Sequence, residues 1–267
     1  LQSRLILAFM FLTRQINRES TMRIESPVEK FGSYVVSQGK DSPGHSNSAG
    51  RHSLAPAITI SYQAGVDVSE ISGKLAEILQ NSEPEHSQTW SVLNQQLIEA
   101  ALEEQRWPKE LAEAMPEEKR LFIDELMDDL CGLRPPSWVL VPQVVKTTLH
   151  LAVKGHVILI GHGATVVTAR MWNVFHVRLN GSLPKRIERV QTRRNLTPEA
   201  AAKLVMKEDR GRERYLRAHF HARLDNELLY DMAINTDRIS NDDAAATVYE
   251  GARRFFSEHQ RDQHSSS

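Results

Sequence analysis

"ITISYQAGVDVSEISGKLAEIL", Ile58 to Leu79, decides the fold. An apolar run, a single glycine and an amphipathic helix follow one another with no spacer. Val68, Ile71, Leu75, Ile78 and Leu79 share one face of that helix, leaving Glu70, Lys74 and Glu77 outside, which is the stripe of a helix laid on a sheet. A strand that enters a helix through a glycine turn is also the architecture that holds a phosphate, because backbone N–H groups and the positive end of the helix meet there. A full phosphate loop reads G-x-x-x-x-G-K-[ST]; its glycines permit close approach and its lysine grips the β- and γ-phosphates. Here Gly65 and Ser69 remain, Val68 stands where a lysine or glycine would be sought, and Asp67 puts a carboxylate inside the loop. Two unit charges roughly 4 Å apart at an effective dielectric near 20 repel by about 4 kcal/mol, an upper bound for a carboxylate that can turn to solvent. The segment therefore has two readings. Gly65, Val66, Asp67, Val68 and Ser69 either bind a nucleotide cofactor or form a purely structural turn.

Working outward, five short apolar runs read as parallel strands, being continuous rather than alternating: residues 57–61, 89–93, 156–160, 174–179 and 231–235. Helical stretches separate them, so the chain is expected to be α/β with a doubly wound sheet. Residues 94–153 read as helical throughout. Leu93, Leu97, Ala101 and Leu102 make one stripe, Phe122, Leu126 and Leu130 a second, and Val141, Val144, Val145, Thr148, Leu149 and Ala152 a third. "GLRPPSW" breaks the second from the third. An insertion of that length is either a cover over a cleft or a plain helical subdomain. Thr197 with Pro198 starts a further helix, and Ser240 caps the last, whose stripe is Ala245, Val248, Ala252, Phe255 and Phe256.

Length and composition bound the rest. With 267 residues, 40% hydrophobic and 25% charged, the chain can bury a sizeable core as one domain. A net charge of −1 argues against a nucleic-acid coat or a polybasic membrane binder, yet the charge is unevenly spread. Acidic residues outnumber basic ones 11 to 4 between Glu99 and Asp129, and basic ones outnumber acidic 12 to 5 between Lys185 and Arg223, so the second block suits a polyanion or a solvated helix face. Cys131 is the single cysteine, which excludes an intrachain disulfide and points to a reducing cytoplasm. The apolar run Leu5 to Leu12 is too short to span a bilayer. Met22 reads as a natural start, with residues 1–21 an upstream extension or fusion remnant. Residues 38–56 are expected to be a flexible linker that closes an N-terminal segment 1–56, and residues 257–267 a disordered tail.

Two further segments could carry chemistry. In "KEDRGRERYLRAHFHAR", Arg210, Arg212, Arg214 and Arg217 crowd together, and on a helix Arg210, Arg214 and Arg217 share one face. Guanidinium forks suit phosphate oxygens, while Glu208, Asp209 and Glu213 could instead pair them off at the surface. In "GHGATVV", Gly161 to Val167, two glycines flank His162 directly after a strand, where open α/β sheets bind ligands. His162 could reach a phosphate or a base, or serve as a turn histidine. His219 and His221 lack metal-ligand spacing, and no serine has a G-x-S-x-G setting.

In this order, "ITISYQAG…SEISGKLAEIL", "WSVLNQQLIEAAL", "GHVILIGHGATVV", "VFHVRL", "RIERV", "KEDRGRERYLRAHF" and "LLYDMAINTDRIS" resemble the cytidylate kinase-like family of the nucleoside monophosphate kinase group. The resemblance runs from about Met22 to Phe256. It implies a P-loop-kinase-type fold: a five-stranded parallel sheet flanked by helices over residues 57–256, with a helical insertion at about 94–153 and an arginine-rich lid at about 195–223. It implies ATP with Mg²⁺ as cofactors and CMP or dCMP as substrate; from charge and composition no nucleic acid or membrane partner is expected. Carried over by position, Gly65 to Ser69 are cofactor-binding. Arg210, Arg212 and Arg214 are the lid arginines, with Asp209 as their acidic orienting partner; His162 and Gly163 are substrate-binding. Tyr62 and His162 fall where relatives carry arginine, and Asp67 and Val68 replace glycine-like positions. A catalytically impaired nucleotide-binding or regulatory module on the same fold is the alternative.

Overall fold

A computed structural model describes residues 54–82, 89–94, 98, 122–123, 126 and 141–265. The strands are β1 (Ala57–Tyr62), β2 (Ser91–Asn94), β3 (Val157–Ile160), β4 (Val174–Asn180) and β5 (Met232–Asn235). The principal helices are α1 (Val68–Ser82), α2 (Val141–Lys154), α3 (His162–Val167), α4 (Leu183–Arg194), α5 (Pro198–Phe220) and α6 (Asn241–Ser265). All strand pairings are parallel, in the order β2-β3-β1-β4-β5. β1 is therefore central, and its carboxyl end opens beside that of β3, where the chain switches sides of the sheet.

Burial follows the period of the strands. Ile58, Ile60, Ile158, Ile160, Val177 and Leu179 face α1 and α6, packing on Ile71, Leu75, Leu79, Ala245 and Val248. Ala57, Val157, Leu159 and Val174 face the other way, against Leu149, Ala152, Ile98, Ile123 and Leu126. The result is three layers, helices on both faces of a parallel sheet. The second face also holds a polar column: Thr59 Oγ1 lies 2.7 Å from His176 Nδ1, Thr165 Oγ1 donates to Thr59 Oγ1 at 3.2 Å, and Arg178 Nη1 donates to Ser61 Oγ at 2.6 Å. Buried polar groups need such partners.

Several boundaries differ from the sequence reading. Leu54 is buried in the core, and Pro56 and Ala55 carbonyls accept from His156 N–H and Asn173 Nδ2, so the expected linker is docked from residue 54 onward. The run at 89–93 becomes a strand only from Ser91, and Trp90 packs into the core instead. α6 continues to Ser265 where a disordered tail at 257–267 is expected; "SEHQRDQHS" contains neither glycine nor proline to stop it. β5 is an edge strand and buries only Ile234. Of the expected insertion, α2 supplies the third stripe. Leu97, Ala101, Leu102, Leu130, Cys131 and the "GLRPPSW" break lie outside the described residues, as do residues 1–53.

Candidate active site

The turn after β1 is held from both ends. Gln63 N–H donates to Leu179 O, and Val66 N–H donates back to Gln63 O at 3.1 Å. Gly65 takes φ +88°, open to glycine at little cost. A Cβ there would stand 2.5 Å from the Arg186 carbonyl oxygen, so its lack of a side chain also admits α4. Asp67 stands immediately before α1, its carbonyl accepting from Ile71 N–H. That leaves the first-turn N–H groups of Val68, Ser69 and Glu70 without an intrahelical acceptor, the usual basis of an anion site.

α4 and α5 form a hairpin clamped on this turn. Asn195, in a left-handed conformation, ends α4, and the Thr197 side chain accepts from Ala200 N–H to start α5. Ala64, Val190, Ala201 and Val205 pack together as a small core between loop and hairpin. A polar clamp accompanies it. Ala64 N–H donates to Asp209 Oδ1 at 2.9 Å; Arg186, with 7% of its side chain exposed, donates to Asp209 Oδ2 at 2.6 Å, to Ala64 O at 3.0 Å and to Gly181 O at 2.9 Å. Beside this clamp, Arg189 donates to Thr236 O at 2.6 Å, and Ser182 N–H, just before α4, donates to Asp237 Oδ2. Hydrogen bonds from the Ser182 side chain and then its backbone N–H hold the Asp237 carboxyl below its ordinary range. The segment "INTDRIS" thus anchors α4.

Between loop and hairpin lies an open cleft of about 200 Å³. Gly65, Val66, Val68 and Ser69 form one wall; Arg193, Arg194, Glu208 and Arg212 line the other. Arg212 lies over the Tyr62 ring, 4.4 Å from its centroid, close enough for a cation–π contact. Its Nη2 is 3.4 Å from Glu208 and its Nη1 3.8 Å from Asp209. Arg194 is 3.7 Å from Glu208. Arg193 reaches across the loop mouth, donating to Gly65 O at 3.1 Å and pairing with Asp67 Oδ1 at 2.6 Å.

The residues singled out from sequence are distributed as follows. Gly65, Val66, Val68 and Ser69 line the cleft, and Asp67 borders it through Arg193. Of the three arginines expected in a lid, Arg212 faces the loop, while Arg210 and Arg214 lie on the exposed flank of α5. Asp209 faces the loop but is engaged by Ala64 and Arg186. Gly163 sits at the start of α3, where a Cβ would stand 3.5 Å from Phe220 and 3.7 Å from Tyr215 at the end of α5. His162 opens α3 at the carboxyl end of β3. Phe220 lies eight residues after Arg212 on α5, roughly 12 Å at helical rise, so the two candidate subsites lie side by side. Sequence reading passed over Arg186, Arg193 and Arg194. The available signal was the spacing Arg186, Val190, Arg193, which repeats every three to four residues and marks one face of α4.

The parallel sheet, the βα turn at its carboxyl edge and the basic hairpin over that turn define an α/β protein of P-loop-kinase type. A family model matches residues 57–238, and the chain belongs to the cytidylate kinase-like family. It is a kinase-like protein of a nucleotide-binding class. No curated protein matches it. Among solved structures it is similar to an uncharacterized protein from Eubacterium ventriosum ATCC 27560, with a TM-score of 0.55 and 16% identity, covering 74% of this chain and 98% of that one. At that identity the likeness concerns the fold. Among the described residues, no helix is long and apolar enough to cross a membrane.

Proposed function

We propose that this protein is a nucleoside monophosphate kinase that moves the γ-phosphoryl group of ATP to CMP or dCMP. The observation that carries the reading is the cleft itself, where Arg193, Arg194 and Arg212 face the turn from Gly65 to Ser69. Phosphoryl transfer asks little covalent chemistry of a protein; alignment and neutralisation of charge supply most of the rate. Arg212, steadied by Tyr62 and Glu208, is placed to meet phosphate oxygens, and the N–H groups of the α1 first turn offer further donors. Arg210 and Arg214 would join only from the exposed flank. Asp209 acts by holding the loop to the hairpin. His162 and Gly163, beside the aromatic end of α5, mark the acceptor side.

Among the described residues no three His, Cys, Asp or Glu side chains gather as a metal cage. Mg²⁺ keeps its waters and binds through nucleotide phosphates with one or two protein oxygens. Glu208 and Ser69, both on the cleft walls, are the residues that would receive it. When bound, the ion neutralises phosphate charge.

Purified protein supplied with ATP, Mg²⁺ and CMP or dCMP should form CDP or dCDP, and Arg212→Ala should cut the rate with the fold intact. Absence of product with every nucleoside monophosphate would end the kinase reading. A second reading, nucleotide binding without turnover, is favoured by the Asp67–Arg193 pair, which places a carboxylate and its counter-ion at the phosphate loop. Calorimetric titration with ATP and CMP, run beside the assay, separates the two.

A further inference from the structure

We propose that Asp67 is a specificity-determining residue whose carboxylate competes with a ligand phosphate for Arg193, so that the cleft discriminates against the most highly charged nucleotides. The inference rests on the nucleotide site proposed above. Each arginine lining the cleft already has an acidic neighbour inside the protein: Arg193 has Asp67, while Arg194 and Arg212 share Glu208. Counting those five groups, one net positive charge remains. The Asp67–Arg193 contact is the shortest of these pairs, at 2.6 Å, and it alone joins the loop to the hairpin across the cleft mouth. The same guanidinium donates to Gly65 O, so it straps the turn on both sides of its apex.

Exposure makes the strap exchangeable. Arg193 has 48% of its side chain exposed and Asp67 23%, and an ion pair in such a setting is worth no more than about fivefold in an equilibrium constant. A phosphate offers several acceptor oxygens to a guanidinium fork and can displace the single carboxylate oxygen. The displaced carboxylate stays beside the loop, however, and repels each further phosphate that enters. A monophosphate ester meets this repulsion once; a triphosphate meets it along its length. The gain from removing the charge should therefore grow with ligand charge, and removing Arg193, the group that both anions compete for, should lower affinity instead.

The test is calorimetric titration of AMP, ADP and ATP into the full chain, Asp67→Asn, Arg193→Ala and the double variant, with thermal melts as a fold check. Asparagine suits a helix N-cap as well as aspartate does, so Asp67→Asn removes charge with little local cost. The expected result is an ATP affinity raised by about fivefold in Asp67→Asn, a smaller rise for ADP, little for AMP, and an ATP affinity lower in Arg193→Ala than in the full chain and lower in the double variant than in Asp67→Asn. Unchanged or lower affinity in Asp67→Asn overturns the proposal. So does an equal gain for all three nucleotides, an ATP affinity undiminished by Arg193→Ala, or failure of all four proteins to bind. If the Asp67→Asn gain appears while no CDP is ever formed, kinase turnover is lost and the competition stands.

Discussion

Gly65 meets two demands at once, a left-handed φ of +88° and a distance of 2.5 Å from a prospective Cβ to the Arg186 carbonyl oxygen. Only the first concerns the turn itself; the second concerns α4. Gly65→Ala is expected to destabilise by about 2 kcal/mol or more, combining backbone strain with displacement of the helix, measurable as a lower urea midpoint. The neighbouring clamp gives a sharper test. Arg186 is buried against Asp209, Ala64 and Gly181, and replacing it with methionine leaves Asp209 without its main counter-charge. Removing one partner of a buried pair costs about 3–5 kcal/mol, and the partial exposure of Asp209 lowers that to about 2–4 kcal/mol. Chemical denaturation of Arg186→Met checks it; a loss below 1 kcal/mol would mean that the clamp contributes little. Asp209 was legible from sequence as an acidic residue beside the arginines. Its partner is 23 residues earlier, too far for any local spacing rule to connect them.

Among the elements, α5 decides which arginines matter. Arg210, Arg214 and Arg217 share one face, as their spacing predicts, and that face points to solvent, with Arg217 paired to Glu213 at 2.7 Å. The inward face carries Ala201, Val205, Glu208 and Arg212. Because the buried residues are small, the helix lies close to the loop. Arg212→Ala should therefore weaken nucleotide binding by about tenfold, the scale of a charge-assisted hydrogen bond. Arg210→Ala and Arg214→Ala should each change it by less than about threefold, in line with exposed charges. Parallel titrations of the three variants decide the matter, and equal losses would bring the outer arginines into the site. From sequence the basic block was plain, but which face of α5 turned inward was not. That depends on Ala64 and Val190, contributed by two other segments.

For the whole molecule, stability is coupled to pH through the polar column inside the sheet. His176 is buried against Thr59, and desolvation lowers its pKa, opposed in part by Asp231. The unfolded chain then takes up a proton near the ordinary histidine value, about 6.5, while the folded one does not. Stability is accordingly complete above about pH 6.5 and falls as pH drops below it, until the folded-state pKa is reached. Urea midpoints from pH 8 to pH 5 should show that decline, and His176→Asn should flatten it; an identical slope in the variant would remove His176 as its cause. The sequence by itself determined the parallel α/β layout, since five continuous apolar runs and the stripe of α1 have no other economical burial. It also placed the altered turn at the end of β1, because glycine and a missing lysine are local facts. Only the tertiary structure decided that Asp67 pairs with Arg193, that Gly65 makes room for α4, and that Arg212 lies over Tyr62. Those contacts join segments more than a hundred residues apart, and their energies depend on distance, burial and direction, none of which is written in residue order.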